Sequence, residues 1–310
     1  MTHPRPFRFG AGAFIADSAA TWTETARRIE ALGYDMLLMP DHFARTFEPA
    51  PAMVAAALAT TTLRVGTNVY ANDFRHPAVL AKEMATVDVL SGGRLVMGIG
   101  AGWKKDEYDQ AGIPFDRAGV RVSRMIESLR VVKGLWADDP FTFAGEHYRI
   151  DALEGWPKPL QRPHPPILIG AGGRRLLSFA AREADIVGII AQATPGGTLD
   201  TAADTEALLA EKVGWVREAA GKRLDQIELA MLLWGIAVTD TPGTVAAAMA
   251  REIGRPPDYV LNSPYYLVGS VDAMVERLQS LRERFGISHF TARPQNWAEF
   301  APVVARLAGT

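Results

Sequence analysis

Short apolar runs that stop at glycine alternate along this chain with longer stretches whose apolar positions recur every three to four residues. The clearest instance spans residues 63–108. Residues 64–68 and 95–99 read as buried strands, and residues 77–90 between them as an amphipathic helix. Two strands joined through a helix form a βαβ unit, which requires a crossover and implies a parallel sheet. The strands end in Gly66-Thr67-Asn68 and Gly98-Ile99-Gly100-Ala101-Gly102, so their carboxyl edge is left open. In parallel α/β folds that edge takes the ligand.

The same alternation extends in both directions. Strands are predicted near residues 9, 37, 66, 97, 168, 188, 232 and 290, with the seventh lying in a strand region over 227–238. Helices are predicted from about residue 21 to Gly33, then at 52–59, 77–90 and 120–136, and from Arg174 onward. Further helices follow at 202–220, 244–253, 271–285 and 297–307. Eight βα units in 310 residues are the arithmetic of an α/β (β/α)8 TIM barrel, with an open doubly wound sheet as the alternative. No shift in composition marks a boundary, so residues 1–310 read as one barrel domain. Residues 141–166, a hairpin around Gly145 followed by a proline-rich loop, read as an insertion on the loop face.

Composition narrows the chemistry. The chain is 48% hydrophobic and 22% charged with a net charge of −2, so no basic field calls for nucleic acid or an anionic membrane. It has no cysteine, which excludes disulfides, thiolate metal sites and cysteine nucleophiles. No histidine spacing matches a metal motif, and no metal is expected. The first residues lack the apolar core of a signal peptide and no apolar run could span a bilayer, so a cytoplasmic protein with no membrane partner is expected.

Several residues could carry chemistry. Asp41 and His42 follow the buried strand at 36–39, where an acid–imidazole pair suits proton handling. Glu107 and Asp106 follow Gly98-x-Gly100-x-Gly102. That glycine run is not a dinucleotide fingerprint, because Trp103 occupies the third small position and the regular helix is expected only near residue 120. Trp103 could stack on a planar ligand, with Phe14 and Phe43 as further candidate pocket aromatics. Gly170, Ala171, Gly172 and Gly173 allow close backbone approach ahead of Arg174 and Arg175, a pattern suited to phosphate. His76, before Pro77 at a helix start, reads as structural.

With these residues assembled, the chain resembles the luciferase-like monooxygenase superfamily, (β/α)8 barrels that bind FMN or the deazaflavin coenzyme F420. The resemblance rests on HPAVLAKEMATVDVLSGGRLVMGIGAGWKKDEY, PFDRAGVRVSRMIESLRVVKGLW and PPILIGAGG, and covers nearly the whole chain. LLMPDHF and GTNVYANDFRHPA resemble the F420-dependent branch. The resemblance implies a cis peptide at Asn68–Val69 beneath the cofactor ring, with Gly100, Ala101 and Gly102 along the ring and ribityl chain. It implies a phosphate site at residues 170–174 and a cofactor border at Val187 and Ile189. His42 is implied as the proton partner, with Glu107 second, and Asp41 as a residue that orients His42 or touches the ring. Sugar-phosphate dehydrogenases of this branch have a glutamate where this chain has Trp103, which points to a less polar substrate. The expected activity is F420-dependent hydride transfer to or from a small organic molecule. The alternatives are an FMN-dependent monooxygenase served by a separate reductase, and a non-catalytic cofactor-binding protein. The resemblance also implies a homodimer.

Overall fold

The computed structural model describes residues 5–201 and 204–310. Eight parallel strands form its centre: β1 (Arg8–Gly12), β2 (Met36–Met39), β3 (Arg64–Thr67), β4 (Leu95–Gly100), β5 (Ile167–Ala171), β6 (Ile186–Ile189), β7 (Glu228–Leu232) and β8 (Ile287–Ala292). Their spatial order is β3, β2, β1, β8, β7, β6, β5, β4. The pairing of Val65 with Leu95 and of Gly66 with Val96 joins the two ends, so the sheet closes into a barrel and the open-sheet alternative falls.

Alternation along each strand divides two cores. Val96, Leu168, Ile186 and Ala230 face one another inside the barrel, with Val69 resting on them. Phe9, Leu37, Val65, Met97, Ile169, Val187 and Ile189 belong to the larger core, shared with the surrounding helices. Among these helices, Ala118–Trp136 buries Met125, Leu129 and Val132, and Val271–Phe285 buries Met274, Leu278 and Leu281. Ser18, Thr205 and Ser270 cap helix starts through side-chain oxygens. No helix of the described residues is long and apolar enough to cross a membrane.

Four local expectations need correction. Lys105–Ala111 is already helical, well before residue 120. Its seven residues are almost all polar, so no apolar period announces it. The 227–238 region is two strands: after β7 the chain leaves the barrel, and Gly235–Val238 pairs in parallel with Tyr266–Gly269. The helix Pro257–Asn262, which precedes that second strand, was not anticipated. The helix expected from residue 202 is seen as Glu206–Ala220, and the expected start lies outside the described residues. The hairpin around Gly145 is present, Phe141–Ala144 with Arg149–Leu153.

Candidate active site

A cavity of about 560 Å³ opens at the carboxyl ends of the strands. Asp41, His42, Asn68, Val69, Gly100, Ala101, Gly102, Trp103, Glu107, Phe14 and residues 170–174 all line it. They end or follow five of the strands, β1 to β5, and are brought together because every parallel strand ends on the same rim.

His42 leaves the end of β2, and its Nδ1 lies 2.9 Å from Oε2 of Glu107. Lys104 donates to Oε1 of the same carboxylate at 2.7 Å. Glu107 is buried, and burial works to raise its carboxyl. The bonds from Lys104 and His42 outweigh that and hold it below the ordinary value. An ionised carboxylate only accepts, so Nδ1 carries the proton and Nε2 of the neutral ring keeps its lone pair as an acceptor. The Trp103 ring meets the imidazole edge-on at 5.8 Å.

Asp41 does not orient His42. It accepts the Ala71 N–H at 2.9 Å and forms a two-pronged pair with Arg75 at 2.7 and 3.2 Å. The Arg75 guanidinium also covers the Tyr70 ring at 4.4 Å. Asp41 therefore fixes the segment that follows the Asn68–Val69 peptide. That peptide is cis, as the resemblance implied.

The adjoining wall is built from glycine loops. A Cβ on Gly100 would lie 2.8 Å from Val69 Cγ2, and one on Gly172 would lie 2.5 Å from the Ala191 carbonyl oxygen. Gly102 has φ +73°, and a side chain there would collide with the Tyr108 hydroxyl. Arg121 donates to the Ala101 and Gly102 carbonyls at 3.3 and 3.4 Å and so holds the loop. Past Gly173 the helix Arg174–Glu183 begins at the cavity without a side-chain cap, so its first N–H groups are available to an anion. Arg174 reaches outward to Glu218 at 3.1 Å, while Arg175 is tied to the Gly119 carbonyl and the Ser123 hydroxyl.

Three predicted residues fall elsewhere. Val187 and Ile189 are fully buried on the outer face of β6, because the two-residue period turns them toward the helices. Ile190 and Ala191, just past the strand, line the cavity instead. Phe43 is 59% exposed and packs tilted against Phe74 at 4.6 Å; Phe74 is the one that reaches the cavity. His76 caps the helix Pro77–Leu90 by accepting the Ala78 N–H, a structural role as expected. Lys104, Arg75, Arg121, Trp234 and Arg293 went unnoticed. Only Lys104 had a readable signal, its three-residue spacing from Glu107.

A family model of luciferase-like monooxygenases matches residues 6–308. The chain belongs to that family. Among luciferase-like relatives, an F420-dependent glucose-6-phosphate dehydrogenase of Amycolatopsis mediterranei is 32% identical over 66% of this chain and 61% of its own. An FMNH2-dependent dimethylsulfone monooxygenase of Pseudomonas putida is 40% identical over 35% of this chain and 30% of its own. An F420-dependent secondary alcohol dehydrogenase, solved with an F420-acetone adduct, superposes with a TM-score of 0.80 at 20% identity, covering 98% of this chain and 99% of that one. That last likeness is one of fold.

Proposed function

We propose that this protein is an F420-dependent oxidoreductase acting on a small organic substrate. When bound, a deazaflavin gives or takes a hydride at its C5 carbon. The glycine loops fit such a group: Gly100, Gly102 and Gly172 let the rim pack directly on Val69, Tyr108 and Ala191, which shapes the wall a planar ring would lie against, and the helix start after Gly173 suits its phosphate. Asn68 and Val69, braced through Asp41 and Arg75, would support the ring.

The observation that carries the reading is the His42–Glu107–Lys104 chain at the rim of a largely apolar cavity. Hydride transfer to or from a carbonyl or imine needs a proton partner beside the reacting atom. His42 holds or releases that proton at Nε2. Glu107 acts through His42, fixing its tautomer and ring orientation. Lys104 keeps Glu107 ionised.

The FMN-dependent monooxygenase is the second reading, supported by the 40% identity to an FMNH2-dependent relative. Titrating the protein separately with F420 and FMN, followed by tryptophan fluorescence, distinguishes them. Tight binding of FMN alone would reject the first reading. With a turning-over substrate in hand, His42→Ala should lower turnover by about 10²-fold or more. Turnover near wild type would remove His42 from this role. The resemblance, with Leu58, Val79, Val89 and Leu90 exposed on two adjacent helices, also supports a homodimer.

A further inference from the structure

Arg293 leaves the end of β8 half-buried and lines the cavity. Four other cations line it, and each is committed. Lys104 bonds Glu107, Arg174 bonds Glu218, Arg121 bonds the Ala101 and Gly102 carbonyls, and Arg175 bonds Gly119 and Ser123. The acids are committed too, Asp41 to Arg75 and Glu107 to Lys104 and His42. Among the described residues Arg293 has neither a hydrogen-bond acceptor nor a carboxylate partner. Its guanidinium lies 5.7 Å from the centre of the Trp234 ring. That ring is itself anchored: the Trp234 indole N–H donates to the buried Asp204 carboxylate at 3.1 Å.

A half-buried guanidinium that faces the cavity and spends none of its donors on the protein is available to an anion that completes its fork. The indole behind it fixes where that anion must lie. The position is also separate from the phosphate cradle: β8 stands three strands round the barrel from β5. We infer that the substrate is a carboxylate on an apolar body, with Arg293 pairing its oxyanion and Trp234 and Phe14 bearing the body. This deepens the small-substrate reading above and rests on it. One guanidinium matches a monoanion. A phosphate dianion would call for a second cation, and the others lining the cavity are engaged.

The test uses phenylacetate, its neutral analogue phenylacetamide, and phenyl phosphate, with binding measured by calorimetry on the full chain before and after adding F420 or FMN. Wild type should bind phenylacetate about tenfold or more tighter than the amide, as a charge-assisted pair requires. Arg293→Met should erase that preference, and Arg293→Lys should restore part of it as a point charge. Melting curves confirm that each variant folds. Equal binding of acid and amide, no binding of the acid, or an unchanged preference in R293M overturns the inference. Tightest binding of phenyl phosphate, lost in R293M, overturns the carboxylate class. Loss of F420 or FMN affinity in R293M, with acid binding intact, reassigns the residue to the cofactor. A wild type that binds phenylacetate but neither cofactor sinks the cofactor reading and leaves this one standing.

Discussion

Glu107 receives two donors at once, and this sets its response to acid. Because its folded-state pKa is lowered, its ionised form stabilises the native state above the ordinary value of 4.5. That contribution is lost as pH falls through the lowered value. On acidification below about 4.5, wild-type Tm should therefore fall more steeply than that of Glu107→Gln. Parallel curves would mean that the pair contributes nothing to the fold. Asp204 has the opposite sign. Burial lifts its carboxyl to about 6, against the pull of the Trp234 N–H and Lys212. The native state then holds the proton more tightly than the unfolded chain, so stability drains as pH climbs from 3.8 to about 6. Asp204→Asn should flatten that stretch of the Tm–pH curve. A slope that survives the substitution would assign it to another group.

At the scale of elements, Arg75 ties the end of β2, the segment after β3 and the start of the helix Pro77–Leu90 into one body. It bonds Asp41 and Glu48 and lies 3.6 Å from Glu83. Arg75→Met leaves a buried carboxylate with one backbone donor, and should cost about 3 kcal/mol or more in denaturant unfolding. It should also weaken cofactor binding, since Asn68 to Ala71 lose their brace. A loss under about 1 kcal/mol would show that solvent replaces the bond. Gly172→Ala addresses the other wall. Its Cβ meets a backbone oxygen, which cannot swing aside as a side chain would, so cofactor affinity should fall while the barrel still melts cooperatively. The strands of this body were legible because each is a short apolar run closed by glycine or a turn. Placing single side chains was harder. Val187 and Ile189 were assigned to the right strand and the wrong face, because a strand buried on both sides shows no polar alternation to orient it. Arg75 and Arg293 were invisible because their partners lie far away in sequence or are not in the chain at all. The seven-residue helix Lys105–Ala111 was missed because it buries only Glu107 and Tyr108.

At the scale of the whole molecule, one feature conflicts with a solitary barrel. The helix Pro49–Ala59 contains no polar side chain, yet Leu58 is 71% exposed. It packs beside Pro77–Leu90, whose Val79, Val89 and Leu90 are also exposed. A helix that is apolar all round belongs in an interior, and a second copy laid two-fold across these helices would supply one. Light scattering should then give twice the 33.7 kDa chain mass. Leu58→Glu combined with Val79→Glu should give a folded monomer, since neither residue lines the cavity. Wild type that stays monomeric at tens of micromolar would sink the dimer. The same variant tests whether assembly reaches the site. Pro77–Leu90 begins directly after Arg75 and His76, so a dimer would press on the element that braces Asp41. If the brace is complete within one chain, the monomer should bind cofactor within a few-fold of wild type. A loss of more than about tenfold, or 1.4 kcal/mol, would mean that the second copy holds the brace in place.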